Sequence, residues 1–291
     1  MMHRIFDHDD EPLYGRKDCE IRLKPFRVSV MKEILHDYNP DYTPEDLLCL
    51  YMLTGGVAKY VAQLMDAGAT NRDGMLKWVT GIGSPFLSEG REMIMSEFGK
   101  VYANYLSILQ LIAGGMTTQN QIDTIIGKNT GTYLKNLDED YSYVSKLHPL
   151  FSKPGGRNVK WCIEDCFLRF WFRFVLPNQA LVEMERNDLL LEIVLRDYND
   201  YTGTVLEQYF RQKISEEDRV TRVGRYWDRK GLNEIDIIAL NEIDKTALVA
   251  EVKRNAARYD SRLLEQKYQS IQSHFGGYKD VKLLGLSMAD M

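Results

Sequence analysis

A chain of 291 residues, 44% hydrophobic, 11% aromatic and 27% charged, can bury a sizeable core; this excludes a disordered chain and points to two or three compact units. Its net charge of -5 excludes a uniformly basic nucleic-acid coat, and residues 201–291 hold 15 Lys+Arg against 14 Asp+Glu, so any nucleic-acid contact falls to local patches. No apolar signal region opens the chain and no run of about 18 apolar residues occurs, so a cytoplasmic protein without a membrane span is expected.

The chain starts polar and then gives Pro12-Leu13-Tyr14-Gly15-Arg16 and Ile21-Arg22-Leu23-Lys24-Pro25-Phe26, a short apolar strand with no earlier element to pair with. Thr43-Pro44-Glu45-Asp46 reads as a helix start, followed by Leu47, Leu48, Leu50 and Tyr51. Gly55-Gly56-Val57-Ala58-Lys59-Tyr60 opens another helix, and Met65, Met75, Met93 and Met95 are expected to pack a helical core. No Gly-x-x-x-x-Gly-Lys-[Ser/Thr] occurs; Gly99-Lys100 and Gly127-Lys128 lack the upstream glycine and the following hydroxyl, so ATP hydrolysis by this chain alone is not expected. Cys19, Cys49, Cys162 and Cys166 lack metal-finger spacing and are expected as reduced core thiols.

From 92 to 175 the pattern is helix, helix, helix, hairpin, helix. Tyr102, Leu106, Leu109 and Ile112 form an apolar stripe, 117–126 a short second helix, and 130–140 a third with Tyr133, Leu134 and Leu137 inward. Two strands then flank 152–158, which gives a winged helix-turn-helix. Lys153, Arg157 and Lys160 make the wing basic, which suits phosphate contacts. The third helix argues the other way, since Lys135 is followed by Asp138, Glu139 and Asp140, and only Asn129 and Asn136 could read base edges. Winged helices also serve as packing or oligomerisation modules, and both readings stay open. On 167–174, Arg169 and Arg173 lie among Phe167, Phe170, Trp171 and Phe174, with their stems expected over aromatics.

The last third reads helix (201–214), strand (219–227), hairpin (234–254), helix (262–275), strand (281–287). A hairpin centred between Ile243 and Asp244 sets Asp236 opposite Glu251, with Lys253 on the same face two residues on. The neighbouring strand positions are apolar on both faces, where a like-charged pair is costly unless a cation binds between them. Two carboxylate oxygen donors suit Mg²⁺. The alternative is an exposed hairpin end framed by a salt bridge.

That element order, with Glu207 on the first helix, Asp236 on the second strand and Glu251-Val252-Lys253 on the third, resembles the PD-(D/E)XK restriction-endonuclease-like fold. More narrowly, Gly224-Arg225-Tyr226-Trp227-Asp228-Arg229-Lys230 before Glu234-Ile235-Asp236, and the segment 170–178, resemble the C-terminal domain of archaeal-type AAA ATPases. The expected class is therefore α+β multidomain: a helical lid remnant of an ATPase module (1–90), a winged helix domain (91–178) and an α/β nuclease-like domain (179–291). The Leu-Tyr-Gly-Arg and Ile-x-Leu-x-Pro-Phe stretches resemble the late part of the nucleotide-binding module, and Gly55-Gly56-Val57 its lid turn, with Ala58 where the motif has proline. The chain thus looks like a family member that begins partway through its ATPase.

The resemblance implies Asp236 and Glu251 as ligands of Mg²⁺ or Mn²⁺, Lys253 as the group that orients water and stabilises charge on phosphate, and Glu207 as an auxiliary at the metal. Arg225, Arg229, Lys230 and Arg254 join the wing residues as expected nucleic-acid contacts. The function this implies is metal-dependent hydrolysis of DNA phosphodiesters, with a separate or upstream ATPase half as a further partner. The alternative is a non-catalytic DNA-binding, regulatory or adaptor module.

Overall fold

Residues 14, 16, 18, 19, 21, 23–98, 102–153 and 155–291 are described in the computed structural model. Parts of the stretches 12–16 and 21–26, and all of Gly99-Lys100, fall outside them. The described residues of 21–26 form no strand, and Ile21 and Leu23 are exposed. The chain is of the α+β class, largely helical before residue 220 and carrying its main sheet after it.

Contacts divide the chain into two compact units, each built from separated stretches. The first holds Val79–Leu147 and Lys160–Leu190. Its helices are Pro85–Phe98, Tyr102–Ala113, Gln119–Ile126 and Gly131–Glu139, followed by strands β1 (Ser145–Leu147) and β2 (Lys160–Cys162), which pair antiparallel with Lys146 opposite Trp161. Thr118 and Gln121 make a reciprocal capping box, and Gly127 ends that helix in the left-handed conformation at φ 76°. The order helix, helix, helix, hairpin expected for this stretch is the order of the elements observed.

Trp171 anchors this unit. It is fully buried, donates its indole N–H to the Leu87 carbonyl at 3.1 Å, and lies in a π-helical turn, Trp171–Val175, among Phe167, Phe170, Phe172 and Phe174. Gly90 faces it so closely that a Cβ there would stand 2.3 Å from the ring. Gly90→Ala is therefore expected to cost on the order of 2 kcal/mol, read as a lower urea midpoint at unchanged slope. Met95, expected in the core, is 55% exposed, because the inward face of its helix is set by Phe86, Ile94 and Phe98.

The second unit comprises Phe26–Trp78, His148–Val159 and Leu191–Met291. The helices Val28–Tyr38, Pro44–Thr54 and Ala58–Asp66 thus belong with the C-terminal sheet. Hydrogen bonds tie them to the far end of the helix Asn187–Ser215: the Glu216 carboxylate accepts from the Val28 N–H at 3.0 Å, and the Tyr51 hydroxyl donates to Gln212 at 2.8 Å. Gly56, at φ 82°, lets the backbone of Phe26 approach, where a Cβ would come within 2.6 Å of the Phe26 oxygen.

The sheet has the order β3-β4-β5-β6, with β3 Arg222–Trp227, β4 Glu234–Asn241, β5 Thr246–Val252 and β6 Asp280–Leu286. The first three strands are antiparallel, and β6 returns parallel to β5 after the helix Ser261–Gln269. One face buries Ile238, Leu240, Ala247 and Val249 against Leu264, Ile271 and Phe275. Leu263 is 48% exposed, because the Asp260 cap sets the helix phase so that Leu264 is the buried residue of the pair.

The segment 148–159 packs on this sheet. The Leu150 N–H donates to the Arg225 carbonyl at 2.7 Å, and Asn158 and Trp227 exchange two hydrogen bonds. Phe151 adopts φ 71°, a conformation unfavourable for a bulky side chain, and lies flat on His274 with ring centroids 4.7 Å apart. No helix among the described residues is long and apolar enough to cross a membrane.

A candidate carboxylate and lysine site at the end of the central strands

The β4–β5 ladder runs from Asn241↔Thr246 to Ile237↔Ala250, so the next step sets Asp236 opposite Glu251, the register expected from the sequence. There the pairing changes. The Val252 N–H donates to the Asp236 carboxylate at 2.9 Å, so the side chain stands in for a ladder carbonyl and fixes Asp236 across from Glu251. Lys253, just past β5, is held by its own N–H to the Leu286 carbonyl at 2.9 Å. Its ammonium is 2.8 Å from Glu251 Oε1 and 3.9 Å from Asp236 Oδ2.

Electrostatics at the site follow from burial. Burial first, and then the negative charges of Glu207 and Glu251, push the Asp236 carboxyl up to about 7, against the hydrogen bond from Val252 and the charge of Lys253. Burial alone would lower Lys253, but its hydrogen bond to Glu251 and the surrounding carboxylates outweigh that and lift it above the ordinary lysine value.

Glu207 reaches the site's field from the helix Asn187–Ser215 and is engaged by two guanidinium groups, Arg225 at 3.3 Å and Arg211 at 3.6 Å. A bulge between Gly224 and Tyr226 puts Arg225 at the break in the β3–β4 register.

Two side chains not singled out from the sequence complete the cluster. Lys267, on the helix Ser261–Gln269, places its ammonium 3.0 Å from both oxygens of Glu251. Tyr259 lies over Gly285, the β6 partner of Glu251, where a Cβ would come within 2.5 Å of the ring. Burial and then the charge of Glu251 push its hydroxyl up. Lys267 was legible in one respect: it falls three residues after Leu264 and four before Ile271, on the apolar stripe.

The expected basic contacts part company. Lys153, Arg157, Arg229 and Lys230 are exposed, and Lys160 is half-buried on β2. Arg254 turns inward: it forms a two-pronged pair with Glu45 at 2.7 and 3.0 Å and donates to the Thr202 hydroxyl at 2.7 Å. Arg225, paired with Glu207, is likewise committed within the protein. In the first unit, Asn136 donates to the Tyr105 hydroxyl at 3.2 Å and the Asn129 side chain accepts from the Gly131 N–H at 2.9 Å, so both amides have internal roles.

The donor set suits a hard divalent cation. Two carboxylates from adjacent strands converge, and burial first, then the charges of Glu207 and Glu251, lift the Asp236 carboxyl. Among the described residues no group of three or more His, Cys, Asp or Glu side chains stands together as a metal cage. Asp236 and Glu251 would thus hold such an ion as a pair of ligands, leaving the other positions to water and substrate oxygens.

Residues 171–274, which span this site, match the family described as "Archaea bacterial proteins of unknown function". An uncharacterized protein of Methanocaldococcus jannaschii is similar over 285 residues at 29% identity, covering 94% of this chain and 60% of the relative. The chain thus spans less than two thirds of that relative's length. No solved structure matches. What these comparisons establish is likeness to archaeal and bacterial proteins whose activity their descriptions do not state.

Proposed function

We propose that the chain hydrolyses DNA phosphodiesters with Mg²⁺ or Mn²⁺ at the Asp236–Glu251–Lys253 cluster. The observation that carries this reading is the meeting of Asp236 and Glu251 at the ladder's end, with the Lys253 ammonium between them. A bound divalent ion would make water acidic enough to attack at neutral pH and offset charge on the phosphate. Asp236 and Glu251 hold that ion; Lys253 supplies a fixed positive charge for a phosphate oxygen. Glu207, tied to Arg211 and Arg225, adds to the site's negative field and orients Arg225. The exposed Lys153, Arg157, Arg229 and Lys230 supply backbone contacts of the kind that position DNA without reading its sequence.

A separate or upstream ATPase half as partner, and a cytoplasmic location, belong to the same reading; the first rests on the lid-like motifs at 55–60. The test is cleavage of linear, nicked and branched DNA with Mg²⁺ or Mn²⁺. Asp236→Ala and Lys253→Ala are each expected to lower the rate about a hundredfold or more, with folding retained. Cleavage that survives both substitutions overturns the site. A second reading, DNA binding without cleavage, is favoured by the two lysines that already neutralise Glu251; steep salt dependence of binding with no cleavage on any substrate would establish it.

A further inference from the structure

We propose that Lys267 is a displaceable counter-ion of Glu251, one that opposes uptake of a divalent cation until a phosphodiester takes the ammonium over, so that metal and nucleic acid bind cooperatively. The inference rests on the metal-dependent reading above. Glu251 is 8% exposed, and both its oxygens lie 3.0 Å from the Lys267 ammonium. The Lys253 ammonium approaches the same carboxylate at 2.8 Å. With Glu207 paired to Arg211 and Arg225, the inner site balances as two carboxylates, Asp236 and Glu251, against two ammonium groups, Lys253 and Lys267.

A divalent cation added to that balance leaves an excess of positive charge in a half-buried place, where charges act strongly on one another. Oxygen atoms can contact an ammonium and a metal together, so the conflict is one of charge and not of geometry. A phosphodiester brings the missing negative charge, and an ammonium on a flexible four-carbon stem can turn to meet it. Lys253 has two acidic partners in the cluster, Asp236 and Glu251, and is fixed beside the strand end. The Lys267 ammonium pairs with Glu251 from the last turn of a separate helix, so it is the lysine able to leave without disturbing the strand.

The experiment is Mn²⁺ binding, by calorimetry or by loss of the free-ion electron spin resonance signal, to the full chain with and without a phosphorothioate DNA duplex. The wild type, Lys267→Met, Lys267→Gln, Lys267→Arg and Asp236→Asn are compared, each checked for folding by its urea midpoint. Without DNA, both neutral variants are expected to bind Mn²⁺ about tenfold more tightly than the wild type, while Lys267→Arg stays close to it. DNA is expected to tighten Mn²⁺ binding about tenfold in the wild type and much less in the neutral variants, since coupling between two ligands is reciprocal. Mn²⁺ binding that depends on Asp236 but is unchanged or weaker in both neutral variants overturns this inference and leaves the metal reading intact. No Mn²⁺ binding to any form overturns both.

Discussion

Asp236→Asn is expected to make the folded chain more stable by about 2–4 kcal/mol near pH 8, and to leave it almost unchanged near pH 4, the reverse of what removal of a hydrogen-bonded carboxylate usually does. The sign follows from proton counts. Between the ordinary aspartate value of 3.8 and about 7, the folded chain keeps a proton on Asp236 that the unfolded chain has released. Stability therefore falls as pH rises through that window and levels off above it. Asparagine has the shape of the protonated carboxyl and no proton to lose, and its oxygen can still accept from the Val252 N–H. Urea midpoints of both proteins across pH 4 to 8 test this, and a variant less stable than the wild type at pH 8 would sink it. Added Mg²⁺ supplies a second reading of the same site: it should raise the wild-type midpoint near pH 8 and leave that of Asp236→Asn in place, by mass action on the folded state. A charged cluster that destabilises its own fold is the usual sign of a stability and function trade-off.

The hairpin was legible because its two aliphatic runs flank one polar connection, and a turn without a bulge centred between Ile243 and Asp244 gives the register to which Ile237↔Ala250 belongs. Lys245 takes φ 57° at the connection, a detail that the residue type does not announce. The helix Asn187–Ser215 was read only from 201, although Leu190, Val194, Tyr198, Tyr201, Val205 and Tyr209 recur every three or four residues and are all buried. The polar run Arg196-Asp197 and Asn199-Asp200 masked the period, since it occupies the outer face between those positions.

Tertiary partners were less accessible. Nothing in the sequence near Arg254 distinguishes an arginine that meets phosphate from one that meets Glu45, which lies 209 positions earlier. Lys267 and Tyr259 reach Glu251 only because β6 returns parallel to β5 and carries a glycine at position 285. Side-chain placement of this kind depends on the crossover, and periodicity alone does not contain it.

The second large effect is expected at the Arg254–Glu45 pair. The guanidinium holds both Glu45 oxygens, donates to Thr202 and lies 5.7 Å over the Tyr198 ring, with side-chain exposures of 20% and 28% for Arg254 and Glu45. Removing one member leaves the other charge poorly solvated, so Arg254→Met is expected to cost about 3 kcal/mol, the low end for buried pairs because water still reaches this one. Glu45→Gln should cost about 2 kcal/mol, and the double variant should fall short of the sum by about 1 kcal/mol or more. Additive losses in that cycle would mean that the pair carries no coupling of its own. The consequence for the site is positional. Arg254 follows Lys253 directly, and Glu45 lies in the first turn of the helix Pro44–Thr54, itself fixed by the Thr43–Asp46 capping box. Where cleavage is measured, Glu45→Gln is expected to lower kcat with KM nearly unchanged, because it loosens the strand end that holds Lys253 and removes no group that touches substrate. An equal loss of kcat in Arg254→Met, with no further loss in the double variant, would identify the pair as one unit acting through Lys253. The helix Pro44–Thr54 and the carboxylate cluster would then be coupled through an ion pair contained within a single compact unit.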